Sequence, residues 1–126
     1  MEHQNNNYLD DISTERLKWI GVDLDGTLSE FCWPDRGIGK IIPGAKESVY
    51  KLIEMGYKIV IYTSRYWSYY EAVERWCIDN DIRAKKIICG KPLFRWVIDD
   101  KNIEFSGDWN KAISIIKPYE EELQKI

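Results

Sequence analysis

The stretch Trp19-Ile20-Gly21-Val22-Asp23-Leu24-Asp25-Gly26-Thr27-Leu28 constrains this chain more than any other. A short apolar run rich in β-branched and aromatic residues, ended by an Asp-Gly pair, reads as a buried strand that stops at residue 23 or 24. Asp23 and Asp25 then emerge at the strand's end. The turn at Gly26 is expected to curl the backbone so that its N–H groups point inward beside the two carboxylates. Such a turn would cradle a phosphate and a cation.

Beyond this strand the chain alternates helix and strand patterns. Ser29 to Ile42 is a connection, and Pro43-Gly44 opens a helix to about Met55 whose apolar positions are Ala45, Val49, Leu52 and Ile53. Gly56 stands where a left-handed C-cap is wanted. Lys58 to Tyr62 is a continuous apolar run of strand length, stopping at Thr63-Ser64-Arg65. A second helix, from Ser68 to Asp79, should bury Ala72, Val73, Trp76 and Cys77 and end near Asn80, which tolerates the left-handed conformation. Lys86 to Cys89 reads as a third strand, Gly90-Lys91-Pro92 as a loop, and Trp96 to Ile98 as a fourth strand ending at Asp99-Asp100, with Ile103 to Phe105 as an edge strand. Asp108 should cap a helix over Trp109 to Lys117, and Pro118 restarts a short charged helix. Strands separated by helices imply right-handed crossovers, a parallel sheet with helices on both sides, and ligands bound beyond the carboxyl ends of the strands. Asp23, Asp25, Thr63, Lys91, Asp99 and Asp100 all fall at such ends, so they are expected to converge.

A chain of 126 residues supports one domain with a real core, here expected over residues 17–126, with residues 1–16 a flexible N-terminal segment. The polar start Met1 to Asp11 lacks the layout of a signal peptide, and no apolar run approaches membrane-spanning length; the expectation is a cytoplasmic protein with no membrane partner. Cys32, Cys77 and Cys89 are odd in number and share no Cys-x-x-Cys spacing, which argues against a disulfide framework or a zinc knuckle. A net charge of −3 provides no field to gather nucleic acid, although a local basic patch stays open.

A carboxylate cluster without histidine suits Mg²⁺, which takes oxygen ligands and keeps waters and substrate phosphate in its shell. Asp23 can serve as a nucleophile toward phosphorus, and Asp25 can give a proton to the leaving oxygen and later take one from water if neighbouring negative charge raises its pKa. Thr63 offers a neutral hydrogen bond to a phosphoryl oxygen and Lys91 a point charge.

Taken in order, Asp23-Leu24-Asp25-Gly26-Thr27, Ile61-Tyr62-Thr63-Ser64-Arg65, Gly90-Lys91-Pro92 and Ile98-Asp99-Asp100 resemble the four motifs of the haloacid dehalogenase superfamily, over about residues 18 to 105. The resemblance implies a Rossmann-like three-layer α/β sandwich with a central parallel sheet, and magnesium-dependent phosphoryl transfer through an aspartyl-phosphate. It assigns Asp23 as nucleophile and metal ligand, Asp25 as acid/base and metal ligand, Thr63 and Lys91 as the catalytic hydroxyl and lysine, and Asp99 with Asp100 as the remaining metal ligands. Gly26, Thr27, Ser64 and Arg65 are expected to bind substrate, Arg65 being divided between substrate contact and a structural ion pair. The Pro-Gly helix start, the Thr-Ser-Arg turn and the Gly-Lys-Pro step are most similar to small capless members associated with capsule and surface-sugar biosynthesis. Residues 29 to 42 and 66 to 90 leave no room for a cap domain.

An EF-hand loop from Asp23 fails at Leu28 and Pro34. Cys89 and Arg95 have the spacing of a cysteine-phosphatase loop, but Pro92 removes an amide and Leu93 and Phe94 are bulky. A response-regulator receiver would place its acid pair before the other motifs. A polynucleotide 3′-phosphatase of the same superfamily is the nearest alternative, and a non-catalytic phosphate- or metal-binding relative a more distant one. The expected substrate is a small phosphate ester such as a sugar phosphate. The missing cap predicts either a homo-oligomer whose neighbouring subunit roofs the site, or a monomer whose large substrate covers it, with Trp33, Tyr66 and Trp67 at the rim.

Overall fold

Lys58–Tyr62, the longest of the apolar strand runs, is the middle strand of a three-stranded parallel sheet. The computed structural model describes residues 17–124, so the expectation of a flexible segment at 1–16 lies outside the described residues. In chain order the elements are β1 (Trp19–Val22), α1 (Ala45–Glu54), β2 (Lys58–Tyr62), α2 (Tyr70–Asp79), β3 (Lys86–Ile88), α3 (Trp109–Ile115) and α4 (Tyr119–Leu123). Single 3-10 turns occupy Pro34–Arg36 and Trp67–Tyr69. The sheet order is β1-β2-β3, each neighbouring pair parallel and joined through a helix.

Register explains where the core lies. Ile20 pairs with Ile59, Val22 with Ile61, and Ile61 with Ile87. Paired residues of parallel strands share a face, and these join Val49 and Leu52 of α1, Val73 and Trp76 of α2, and Trp109 of α3 in one cluster. Leu24, Leu28, Leu52, Ile59 and Ile61 are fully buried. Burial of each such side chain contributes about 1.5–3 kcal/mol. The architecture is α/β and Rossmann-like. Residues 29–42 hold a loop with one 3-10 turn, and the stretch after residue 66 holds a second such turn, α2 and β3. No helix among the described residues is long and apolar enough to cross a membrane.

Helix ends follow the local chemistry. Gly56 takes φ +102°, its N–H reaches the carbonyl of Ile53 at 2.9 Å, and the Tyr57 N–H reaches that of Leu52 at 3.1 Å, a Schellman closure of α1. The same closure ends α2, where the Asp81 N–H bonds to Ile78 and the Ile82 N–H to Cys77. Here the sequence expectation needs correcting. Asn80 is not the left-handed residue, because both its backbone N–H and its side-chain amide donate to the Trp76 carbonyl, and Asp81 takes φ +56° instead. Asp108 caps α3 as expected, accepting from the N–H groups of Asn110 at 2.9 Å and Lys111 at 3.3 Å. Ala72, expected inside, faces solvent.

The larger correction is in the strand count. Neither Trp96 to Ile98 nor Ile103 to Phe105 forms a strand, and Leu93, Phe94, Trp96, Val97 and Ile98 are exposed. Trp96 to Ile98 pairs with no strand among the described residues, so its ordering is offset by no ladder bonds. Just beyond it the Lys101 N–H bonds to the Asp99 carboxylate at 2.9 Å, an Asx turn that bends the chain where a strand would continue.

Candidate active site

Asp23 leaves the end of β1, and the next residue, Leu24, plunges into the core with no exposed surface. Leu24 also organises the turn through its carbonyl, which accepts the N–H groups of Thr27, Leu28 and Ser29 at 3.1, 2.9 and 3.0 Å. The Gly26 N–H, at φ +84°, returns to the Ser29 carbonyl at 2.7 Å. These bonds overturn the expectation that the turn's amides line up as a phosphate cradle. Gly26 and Thr27 spend their N–H groups inside the turn. Among the described residues the N–H groups of Asp25 and Ser64, in the first and second motifs, donate to no acceptor.

Two backbone bonds bring the third motif in. The Lys91 N–H donates to the Thr63 carbonyl at 2.9 Å and the Gly90 N–H to the Arg65 carbonyl at 2.7 Å, zipping the loop after β3 onto the loop after β2. Lys91 Nζ then lies 3.8 Å from Asp23 Oδ1 and 5.2 Å from the centre of the Tyr62 ring. Tyr62 holds the lysine by a cation–π contact. Tyr62 was not among the residues expected in the site, although an aromatic residue ending a strand next to the candidate hydroxyl Thr63 was a readable signal. Asp23 Oδ1 accepts the Leu24 N–H at 2.9 Å, whereas Oδ2 accepts no hydrogen bond among the described residues. Partial burial, and then the negative charge of Asp25, push the Asp23 carboxyl up from its ordinary value, against the opposing pull of Lys91 and the Leu24 N–H.

Asp25 is held differently. Arg65 Nε donates to its Oδ2 and Arg65 Nη2 to its Oδ1, both at 2.8 Å, so both carboxylate oxygens are engaged. The Arg65 side chain is only 2% exposed, and it is raised above its ordinary pKa first by the bond to Asp25. Of the two roles weighed for Arg65, the geometry gives the ion pair. Its guanidinium is buried against Asp25 rather than turned to an incoming substrate. Thr63 is 1% exposed, and its hydroxyl oxygen accepts the Arg65 N–H at 3.1 Å, leaving the hydroxyl hydrogen without an acceptor among the described residues.

Asp99 and Asp100 are not gathered with this group. Both are exposed, and Asp100 pairs with Lys101 at 3.4 Å, whose charge holds its carboxyl below the usual range. Among the described residues no three acidic, histidine or cysteine side chains are placed together to hold a metal ion. Of the expected magnesium set only Asp23 and Asp25 stand side by side, one paired with Lys91 and the other with Arg65. As arranged, these residues do not fit a magnesium centre. Cys89 is buried, desolvation pushes its thiol up, and no helix follows it, features opposite to a nucleophilic cysteine loop.

No protein-family model matches the chain, and no curated protein matches it. Among solved structures it is similar to a Vibrio cholerae protein, with 25% identity and a TM-score of 0.62 over 83% of this chain and 98% of that one. It is also similar to a conserved protein of Bacteroides thetaiotaomicron, with 27% identity and a TM-score of 0.54 over 86% of this chain and 91% of that one. Both likenesses span nearly the whole of the other chain, so the α/β architecture recurs there as a unit.

Proposed function

We propose that this chain is a phosphomonoesterase of the haloacid dehalogenase type, acting on small phosphate esters such as sugar phosphates. The observation that carries the reading is the asymmetry of Asp23: Oδ1 is fixed by the Leu24 N–H beside Lys91, while Oδ2, at the end of a strand, accepts no hydrogen bond among the described residues. In this reading Oδ2 attacks phosphorus, the bond from phosphorus to the ester oxygen breaks, and the resulting aspartyl-phosphate is hydrolysed by water. Lys91, the unpaired N–H groups of Asp25 and Ser64, and the Thr63 hydroxyl supply donors for the phosphoryl oxygens. Asp25, freed of one of its bonds to Arg65, relays a proton from a solvent water to the leaving oxygen and takes one back from the water that hydrolyses the aspartyl-phosphate. Magnesium belongs to the proposal through the resemblance alone. It would need donors beyond Asp23 and Asp25, and no step here runs through it.

Phosphate release across sugar phosphates, nucleotides and 3′-phosphorylated oligonucleotides tests the reading. Sugar phosphates should be turned over, Asp23→Asn should abolish release, and Cys89→Ser should leave it within about twofold. Preference for the oligonucleotides would move the assignment to the polynucleotide 3′-phosphatase. Activity surviving in Asp23→Asn would end the proposal. Chelation by EDTA with magnesium add-back tests the metal separately.

A further inference from the structure

The connection between Ser29 and Ile41 is closed at its base: an antiparallel bridge joins those two residues, and the Glu30 N–H donates to the Lys40 carbonyl at 2.7 Å. Trp76 of α2 adds a bond from its indole N–H to the Gly39 carbonyl at 3.0 Å. The tip, residues 31–37, is held otherwise. Its own bonds are internal, from the Arg36 N–H to Trp33, from the Gly37 N–H to Pro34, and from the Cys32 thiol to Arg36. Among the described residues Arg65 is the only residue outside the tip that bonds to it, with Nη2 donating to the carbonyls of Gly37 at 2.9 Å and Cys32 at 3.3 Å.

The same guanidinium holds both oxygens of Asp25. We infer that Arg65 is a positioning residue that couples the rim loop to the candidate acid/base, so that whatever contacts the tip of the loop sets the orientation of the Asp25 carboxylate. The tip carries Phe31 and Trp33, packed edge to face at 5.0 Å and each more than 60% exposed, two rings on which an apolar or sugar face can rest. Only a planar fork can do this. Nε and Nη2 bring three hydrogens to four acceptors, the Cys32 carbonyl at 3.3 Å sharing one with a closer partner, and an ammonium on a flexible stem cannot present its donors in these fixed directions. Burial sharpens the coupling, because a charge taken out of water has to keep its partners. The Arg65 carbonyl and N–H are themselves pinned, to the Gly90 N–H at 2.7 Å and the Thr63 hydroxyl at 3.1 Å, so a shift of the tip is passed to Asp25 by the guanidinium end of the side chain and not by movement of its backbone.

The part of this inference that concerns substrate rests on the phosphatase reading; the mechanical part does not, and the experiment separates them. Hydrogen exchange of wild type, Arg65→Lys and Asp25→Ala is compared over residues 31–37 and over β2. Both variants should raise exchange of the tip at least tenfold with β2 unchanged. A tip that exchanges as in wild type when Asp25 is Ala would overturn the coupling, even if Arg65→Lys fails to fold. Kinetics supply the second arm. Arg65→Lys should lower kcat on an alkyl phosphate at least tenfold more than on p-nitrophenyl phosphate, whose leaving group needs little protonation, and a Lys variant with equal losses on both would remove the positioning role. If the wild-type protein hydrolyses no phosphate ester, the functional reading falls and the exchange result still decides the coupling.

Discussion

The indole N–H of Trp109 donates to the carbonyl of Thr27 at 2.9 Å, tying the first residue of α3 to the turn that follows the candidate nucleophile. Trp109 is 6% exposed and its ring stands 5.1 Å from that of Phe105. Trp109→Phe keeps an aromatic ring in the core but leaves the Thr27 carbonyl without this donor. An unsatisfied carbonyl costs about 1–3 kcal/mol. Urea denaturation should therefore show a lower midpoint with an unchanged slope, and an unchanged midpoint would mean the bond contributes nothing.

Gly56 closes α1 with a positive φ, and a Cβ built there would lie 3.2 Å from the Cβ of Tyr119. Gly56→Ala combines a conformation that L side chains avoid with a crowded neighbour. The expected loss is about 1–2 kcal/mol for the backbone alone and more where Tyr119 has to shift, read as a fall in thermal midpoint.

Burial and the nearby Glu74 push the Cys77 thiol up to about 11, and burial alone raises that of Cys89. Cys32 is only half-buried. Iodoacetamide at neutral pH should modify Cys32 in the native protein and reach the other two only in urea. Rapid native labelling of Cys89 would revive the cysteine-loop reading.

In metal-free protein Asp23 has a native pKa above its unfolded value of 3.8, so the native state binds this proton more tightly. The associated stability is fully present below the unfolded pKa and is lost as pH rises through the native one. Asp23→Asn, which never ionises, should therefore be more stable than wild type at pH 7, with the advantage shrinking at acid pH. Thermal melts across pH measure it, and a variant less stable at neutral pH would show that the pairing with Lys91 outweighs burial.

The parts of the molecule legible in its sequence are those decided by local chemistry. The apolar run at Lys58–Tyr62, the Gly56 closure and the Asp108 cap follow from residue type and spacing, and all form as expected. Asp23 and Lys91 were legible too, because residues at strand ends in a parallel sheet have to converge on one edge. What escaped depended on competition among partners. Nothing in Asp-Gly-Thr-Leu-Ser says that the Leu24 carbonyl will take three amides and leave no cradle. Nor does Thr-Ser-Arg reveal that Arg65 will turn inward to Asp25, a choice made by the fork's fit to two distant carbonyls. The apolarity of Trp96 to Ile98 was visible, but whether such a run pairs depends on what it meets, and the Asx turn at Asp99 competes with extension.

Because Lys91 reaches Asp23 only after the loop beyond β3 has zipped onto the loop beyond β2, the charges of the candidate site meet late in the life of the polypeptide. In a nascent chain Asp23 is made before Lys91 and lacks this counter-ion until both crossovers have emerged and closed. Long-range closures of this kind are the slow steps of folding. The ion pair thus dates the molecule: a chain in which Asp23 has found Lys91 has finished its sheet.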